Sequence, residues 1–399
     1  MTITNIKNLI KLTIFYNLII LDKKLKVYPI YIHPFYFPYN RPILSLNESL
    51  RETLIKGRSY LDKCLDSSNT ISYIKSVGLP KVSIIIPLYN CEKSIESAIH
   101  SVQYQNMTQI EINLVNDFST DNTLKLVENL QKLDHRIRII NNHKTLGTLY
   151  SRSIGALMSR GEYIFNLDND DLFFDNVLID FIFSKAKTQN LDLVHYKTII
   201  IHNYTTEIER MSDIFTILYP NEFYLEQPEL SVWMIKYKNR YVVHNNMIWD
   251  KCIRTSIYTK AINLMGFNRY SKYVSWAEDT SINFIIMNLA NNFKYFDLYG
   301  IVHYKGRNTA SNTQSINTKI YGEIFFLDIL FDFCKNNTRV KNHIIDQVFY
   351  IYKRYKFNSF NGDANCIYLK SVLYKIINCT YITKLNIRKI KKLFISFFI

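Results

Sequence analysis

Glycine is scarce, at 10 of 399 residues. None lies in PLYNCEKS (Pro87–Ser94), the stretch after the first strand-like run. That excludes a glycine-rich triphosphate cradle at this place. The six cysteines (Cys64, Cys91, Cys252, Cys334, Cys366 and Cys379) show neither a CxxC pair nor a metal-ligand spacing. Neither a zinc site nor a disulfide framework is therefore indicated, and the cysteines read as free thiols. No apolar run reaches the roughly 20 residues a membrane span needs. Leu9–Leu21 is broken by Lys11 and Asn17 and has no small-residue cleavage site after it, so residues 1–25 fit at most a weak signal-anchor. Proline is also rare, and four of the eight fall at Pro29, Pro34, Pro38 and Pro42. A continuous helix is impossible there, and residues 26–79 read as a stem or strap followed by a helix over 48–66.

Acidic residues are outnumbered 34 to 49, for a formal net charge of +15. Such a charge suits nucleic acid, an anionic membrane surface or a phosphorylated small ligand. The basic residues are spread along the chain without a nucleic-acid motif, so no nucleic-acid partner is expected. One basic cluster stands out at the C-terminus. In TKLNIRKIKKLFISFFI, Lys384, Arg388, Lys391 and Lys392 share one helical face and Ile390, Leu393, Phe394 and Phe397 the other. It reads either as a membrane-surface contact or as a terminal helix docked on the domain. Sequons at Asn47, Asn106, Asn203, Asn336 and Asn378 have meaning only on a secretory route.

From Lys81 the pattern changes to alternating short apolar runs and helical stretches. Strands are expected at Val82–Ile86, Ile110–Asn116, Arg136–Ile140 and Glu162–Asn166, with helices at Glu92–Tyr104, Asp121–Leu130 and Leu149–Ser159. Four strands separated by three helices predict an α/β fold with a doubly wound, mainly parallel, Rossmann-like sheet. Ligands of such sheets bind beyond the carboxyl ends of the strands. Those ends carry Pro87-Leu-Tyr-Asn, Asp117-Phe-Ser-Thr-Asp and Asp168-Asn-Asp-Asp.

The last cluster packs three carboxylates into four positions. Like charges this close repel unless a cation sits among them. Asp168 and Asp170 can face one side, and hard oxygen ligands select Mg²⁺ or Mn²⁺ bridged to a substrate phosphate. The competing reading is an acidic turn that caps a helix opening at Leu172. Asp117 can accept a hydrogen bond from a base N–H, while Ser119 and Asp121 read as loop and cap residues. The Tyr89 ring can lie against a planar base, or Pro87 and Tyr89 form a plain turn.

Taken in order, KVSIIIPLYN, LVNDFSTDNT and LGTLYSRSIGALMSRGEYIFNLDNDD resemble the nucleotide-binding half of the family 2 glycosyltransferases, which have a GT-A fold. The resemblance covers Lys81 to about Asp175. It implies that Pro87, Tyr89, Asp117 and Asn169 line the nucleotide-sugar pocket, and that Arg152 faces the diphosphate or braces Asp168. It also implies that Asp168 and Asp170 form the metal-holding DXD pair, with a UDP-sugar as the favoured donor. Asn116 departs from the pattern where Asp is common, as do Leu149-Tyr150-Ser151 where smaller residues are.

Downstream, HNNMIWDKCIRTSIY, SWAEDTSINFIIMNLA and LYGIVHYKGRNTAS resemble the acceptor half of the same family. By that resemblance Asp279 is the general base, with Glu278 beside it. The alternative is a helix first turn whose acids complement the dipole. His303 reads either as a further metal ligand or as a hydrogen-bonded structural residue, and Lys305 and Arg307 as phosphate contacts or a solvated face. Trp276 reads as an acceptor-sugar platform or a half-buried core residue. Residues 80–175 are thus the donor half, 176–318 the acceptor half, and 319–399 a helical extension. The implied activity is an inverting, metal-dependent transfer from a nucleotide-sugar to a hydroxyl of a glycan, lipid or protein. The implied location is endomembrane or membrane-associated, with cytoplasmic as the alternative. Two other functions remain open. A nucleotidyltransferase shares the sheet but lacks its glycine loop here, and a non-catalytic nucleotide-sugar or glycan-binding scaffold would share the whole fold.

Overall fold

The computed structural model describes residues 79–202, 208–209, 223–226, 234–237, 240–243, 247–266, 274, 276–305, 316–334 and 364–377. The N-terminal apolar segment, the proline-rich strap, the helix expected at 48–66, Arg307 and the basic tail lie outside them.

β1 (Val82–Leu88) and β2 (Ile110–Asn116) are buried along their whole length. Their apolar runs are continuous because helices cover both faces. Ile84 and Ile86 point into a cluster with Ile95, Ile99 and Val102 of α1 (Ile95–Gln103). Ile85, on the alternate face, packs with Val115 and with Leu149 and Ala156 of α3 (Thr148–Leu157). Gly155 lets α3 come this close, since a Cβ there would lie 2.6 Å from Ile85 Cγ2. With α2 (Thr123–Leu133), β3 (Ile137–Asn141) and β4 (Tyr163–Asn166) in place, the first half runs in the order β3-β2-β1-β4, parallel throughout.

The ten-stranded sheet then becomes mixed. Beyond β4 it continues with β11 (Lys251–Arg254), β6 (Leu193–His202), β12 (Asn292–Lys305) and β5 (Leu172–Phe173). β11 is antiparallel to both of its neighbours, whereas β6 and β12 are parallel to each other. β7 (Ile208–Glu209) borders β6, β8 (Phe223–Glu226) borders β12, and β9 (Met234–Tyr237) with β10 (Arg240–Val243) forms a separate hairpin. The acidic turn does not cap a helix at Leu172. Residues 172–173 enter the sheet as β5 against Ile301 and Val302, and the next helix, α4, begins at Leu178 and ends at Thr188.

α5 (Thr255–Met265) and α6 (Glu278–Leu289) follow in the second half of the sheet region. The helical extension appears as α7 (Ile316–Cys334) and α8 (Ala364–Ile377). Ile320, Ile324, Phe326, Val372 and Leu373 share one core cluster with Ile262 and Ile285, so these helices pack into the same core as α5 and α6. Among the described residues no helix is long and apolar enough to cross a membrane.

Candidate active site

The carboxyl ends of β1, β2 and β4 meet, as the topology requires. Pro87 is buried, and its carbonyl accepts from Asn169 Nδ2 at 2.9 Å, which ties the acidic turn to β1. Tyr89 follows, 49% exposed. Asn90, at φ 47, laces the two loops together: its N–H donates to Ser119 Oγ and its Oδ1 accepts from the Thr120 N–H. Asp121 accepts from the N–H groups of Glu92 and Thr123, the cap-like role expected of it.

Asp117 is more occupied than its sequence suggests. Its Oδ1 accepts from Asn142 Nδ2 at 2.8 Å and from the Leu146 N–H at 2.9 Å, and its Oδ2 accepts from the Gly147 N–H at 2.8 Å. Gly147, at φ 90, precedes α3. Asp117 therefore fixes the entry of the helix that carries Arg152.

Arg152 is 4% exposed and forks between the two halves of the domain. Nη2 donates to Asp168 Oδ1 at 2.5 Å, and Nη1 donates to Asp279 Oδ1. Its Nε–H is buried without a hydrogen-bond partner among the described residues. A buried donor left over in this way is the kind of group that a substrate oxygen satisfies.

Oxygens of Asp168, Asp170 and Asp171 lie within 4.8 Å of one another. Burial and the neighbouring Asp171 and Asp168 carboxylates push Asp170 up to about 7. An all-carboxylate set under this repulsion fits a hard divalent cation. Asp171 itself is fully buried and faces His303 Nδ1 at 2.9 Å. Burial opposes charge on His303, yet Asp171 foremost and then Asp168 and Asp170 raise it to about 9. The imidazole also stacks on Trp249, with ring centroids 5.0 Å apart and planes at 14°. His303 thus sits in a hydrogen-bonded setting between Asp171 and Trp249.

Glu278 and Asp279 form the first turn of α6, preceded by Ala277 in the left-handed region at φ 57. Asp279 Oδ2 also receives the Ile248 N–H at 3.4 Å. Burial raises both carboxyls, with Asp279 adding to the shift of Glu278 and Arg152 opposing it at each. Trp276 is half-buried. Its Nε1 donates to Glu323 at 3.3 Å, and Lys319 Nζ lies 4.9 Å from the ring centroid, so α7 grips it. Sequence reading brought Arg152, Asp168, Asp170, Asp279 and His303 to one place, but missed the turn of residues 247–250 that contacts both Asp279 and His303. Asp250 and Lys251, set among Met247, Ile248, Trp249, Cys252 and Ile253, were the available signal.

The glycosyl transferase family 2 model matches residues 83–258. The chain is 30% identical over 221 residues to a Bacillus subtilis (strain 168) protein named "Uncharacterized glycosyltransferase EpsJ", covering 55% of this chain and 59% of that one. It is 36% identical over 101 residues to the GalNAc(5)-diNAcBac-PP-undecaprenol beta-1,3-glucosyltransferase of Campylobacter jejuni, covering 25% of this chain and 33% of that one. The chain thus spans less than two thirds of the length of either relative. Among solved structures, S. aureus TarS 1–349 in complex with UDP-GlcNAc superposes with a TM-score of 0.55 at 16% identity, covering 74% of this chain and 80% of that one. At that identity the likeness is one of fold.

Proposed function

Residues 83–258 form a family 2 glycosyltransferase domain on a GT-A fold, and from this premise we propose that the chain moves a sugar from a nucleoside-diphosphate donor to a hydroxyl acceptor with inversion. The observation that carries the reading is the Arg152 fork, which sets the donor-side Asp168 and the acceptor-side Asp279 on one guanidinium.

Asp279 is the general base. Arg152 holds its Oδ1, and among the described residues its Oδ2 receives the long contact from Ile248, an oxygen to which the acceptor hydroxyl can donate. Its raised proton affinity brings it closer to the working pH, where a base is most effective. As the acceptor oxygen bonds to the anomeric carbon, its proton passes to Asp279. The bond from that carbon to the diphosphate oxygen breaks, and its electron pair leaves with the nucleoside diphosphate. Attack opposite the leaving group inverts the anomeric centre. A divalent ion, Mn²⁺ or Mg²⁺, held by Asp168 and Asp170 would neutralise charge on the departing diphosphate. The buried Arg152 adds fixed positive charge beside the same carboxylates, and Glu278 lies next to the base.

On the donor side, Tyr89 offers an exposed ring to the base of the nucleotide, and Asp117 and Asn169 hold the loops that frame it. A uridine nucleotide is the favoured donor class, in line with the UDP-GlcNAc complex of the TarS neighbour. Thermal shift with UDP, GDP, CMP and ATP, each with and without Mn²⁺, tests the reading. A shift by one nucleoside diphosphate that needs Mn²⁺ and is absent in Asp170→Ala supports it. A folded chain that no nucleotide shifts contradicts it.

A further inference from the structure

Behind the site lies a buried ionic group with no part in the chemistry above. Lys251, at the start of β11, is 0% exposed, Asp250 is 1% exposed and His195 is 5% exposed. Lys251 Nζ donates to Asp250 Oδ1 at 2.6 Å and also to the Met247 carbonyl. Asp250 Oδ2 faces His195 Nε2 at 3.2 Å, and His195 is the strand partner of Lys251 across β11 and β6. Removing a lysine and an aspartate from water costs several kcal/mol, and well-packed apolar residues often serve stability as well. Stability alone therefore gives weak grounds for this arrangement.

The bonds of the ammonium suggest what it does. Met247 opens the turn that leads into β11, and the next residue, Ile248, directs its N–H to Asp279 Oδ2. The residue after that, Trp249, is held separately, its carbonyl by the Tyr196 hydroxyl at 3.1 Å and its ring against His303. Lys251 thus anchors the part of the turn that touches Asp279, while the part that touches His303 has its own support. The positive charge of Lys251 also acts on Asp279 and opposes the upward shift of its carboxyl.

We infer that Lys251 is a positioning residue, whose buried ammonium fixes the Met247–Ile248 carbonyl and amide and thereby the orientation of Asp279 on the acceptor side. The inference rests on the transferase reading. A small displacement of a catalytic group is costly, and the loss should appear in turnover while donor binding is kept.

The test uses the full chain with Mn²⁺. UDP release from UDP-GlcNAc with water as acceptor reports turnover, and titration with UDP reports donor-site binding. Lys251→Met is expected to lower UDP release roughly tenfold to a hundredfold, with the dissociation constant for UDP within about threefold of wild type. Introduced into Asp279→Asn, it should lower release by no more than about twofold further, because residues that act as one unit are not additive. If Lys251→Met does not fold, the pair Asp250→Asn with Lys251→Met removes both charges together and takes its place. Unchanged release, or a full extra loss in the Asp279→Asn background, would overturn the inference and leave the transferase reading intact. A folded wild type that neither binds UDP nor releases it from UDP-GlcNAc would overturn the uridine-donor reading and the inference with it.

Discussion

Arg152 and Asp279 stand 127 positions apart in sequence, yet the buried guanidinium of one holds the carboxylate of the other while its second nitrogen holds Asp168. The turn after β4 and the first turn of α6 are joined at this point by one side chain. The planar fork of arginine suits that task, and a lysine ammonium cannot reproduce its two-sided geometry.

Arg152→Lys should therefore lose turnover by a factor of about 100 or more. Stability should fall by about 3 kcal/mol, since breaking one partner out of a buried pair leaves charge uncompensated. Urea denaturation and steady-state turnover measure the two effects. A variant with near-normal turnover would contradict the role given to Arg152.

Glu111 gives a pH-dependent prediction away from the site. It is 1% exposed and accepts from Ser83 Oγ at 2.6 Å, from Arg138, and from the backbone and guanidinium of Arg160. Burial opposes its charge, but these donors together hold its pKa below 4.5. A depressed carboxylate contributes stability that is present above its unfolded value and lost as pH falls through its folded value. The melting temperature of the wild type should drop as the pH is lowered below 4.5, and Glu111→Gln should be less stable at neutral pH with a shallower acid decline. Melting curves across the acid range decide it, and equal slopes would contradict the assignment.

Ala277 carries the left-handed backbone turn directly before Glu278 and Asp279. Glycine adopts that conformation without the Cβ clash, which costs about 1–2 kcal/mol, although its freer unfolded chain returns roughly 0.5–1 kcal/mol. Ala277→Gly should gain about 0.5–1 kcal/mol in denaturant unfolding. A loss of stability would show that the methyl group packs usefully.

Gly322 in α7 lies against the Trp276 carbonyl, where a methyl group would overlap backbone. Gly322→Ala must push α7 off the segment that leads into the first turn of α6. Both the melting temperature and turnover should fall, and an unaffected turnover would separate α7 from the site.

Much of the parallel part of the sheet was legible because continuous apolar runs and helical spacing alternate there, and β2 falls on the residues expected from its pattern, Ile110–Asn116. The crowding of Asp168, Asp170 and Asp171 was legible from charge density. Three features were not. β11 enters the sheet antiparallel between β4 and β6, and a four-residue strand carries no periodic signal of its direction. Asp117 spends its carboxylate on Asn142, Leu146 and Gly147, partners 25–30 positions away. His303 meets Asp171 across 132 positions and Trp249 across the sheet, contacts that only the closed fold creates.

Asp279→Asn keeps the shape of the base and removes its proton affinity. With Mn²⁺ present, the dissociation constant for UDP and the rate of UDP release from UDP-GlcNAc should be measured on one preparation. The account predicts a dissociation constant near that of the wild type and a release rate lower by about 10²–10⁴, the usual contribution of a positioned general base. A release rate equal to that of the wild type would remove Asp279 from the chemistry.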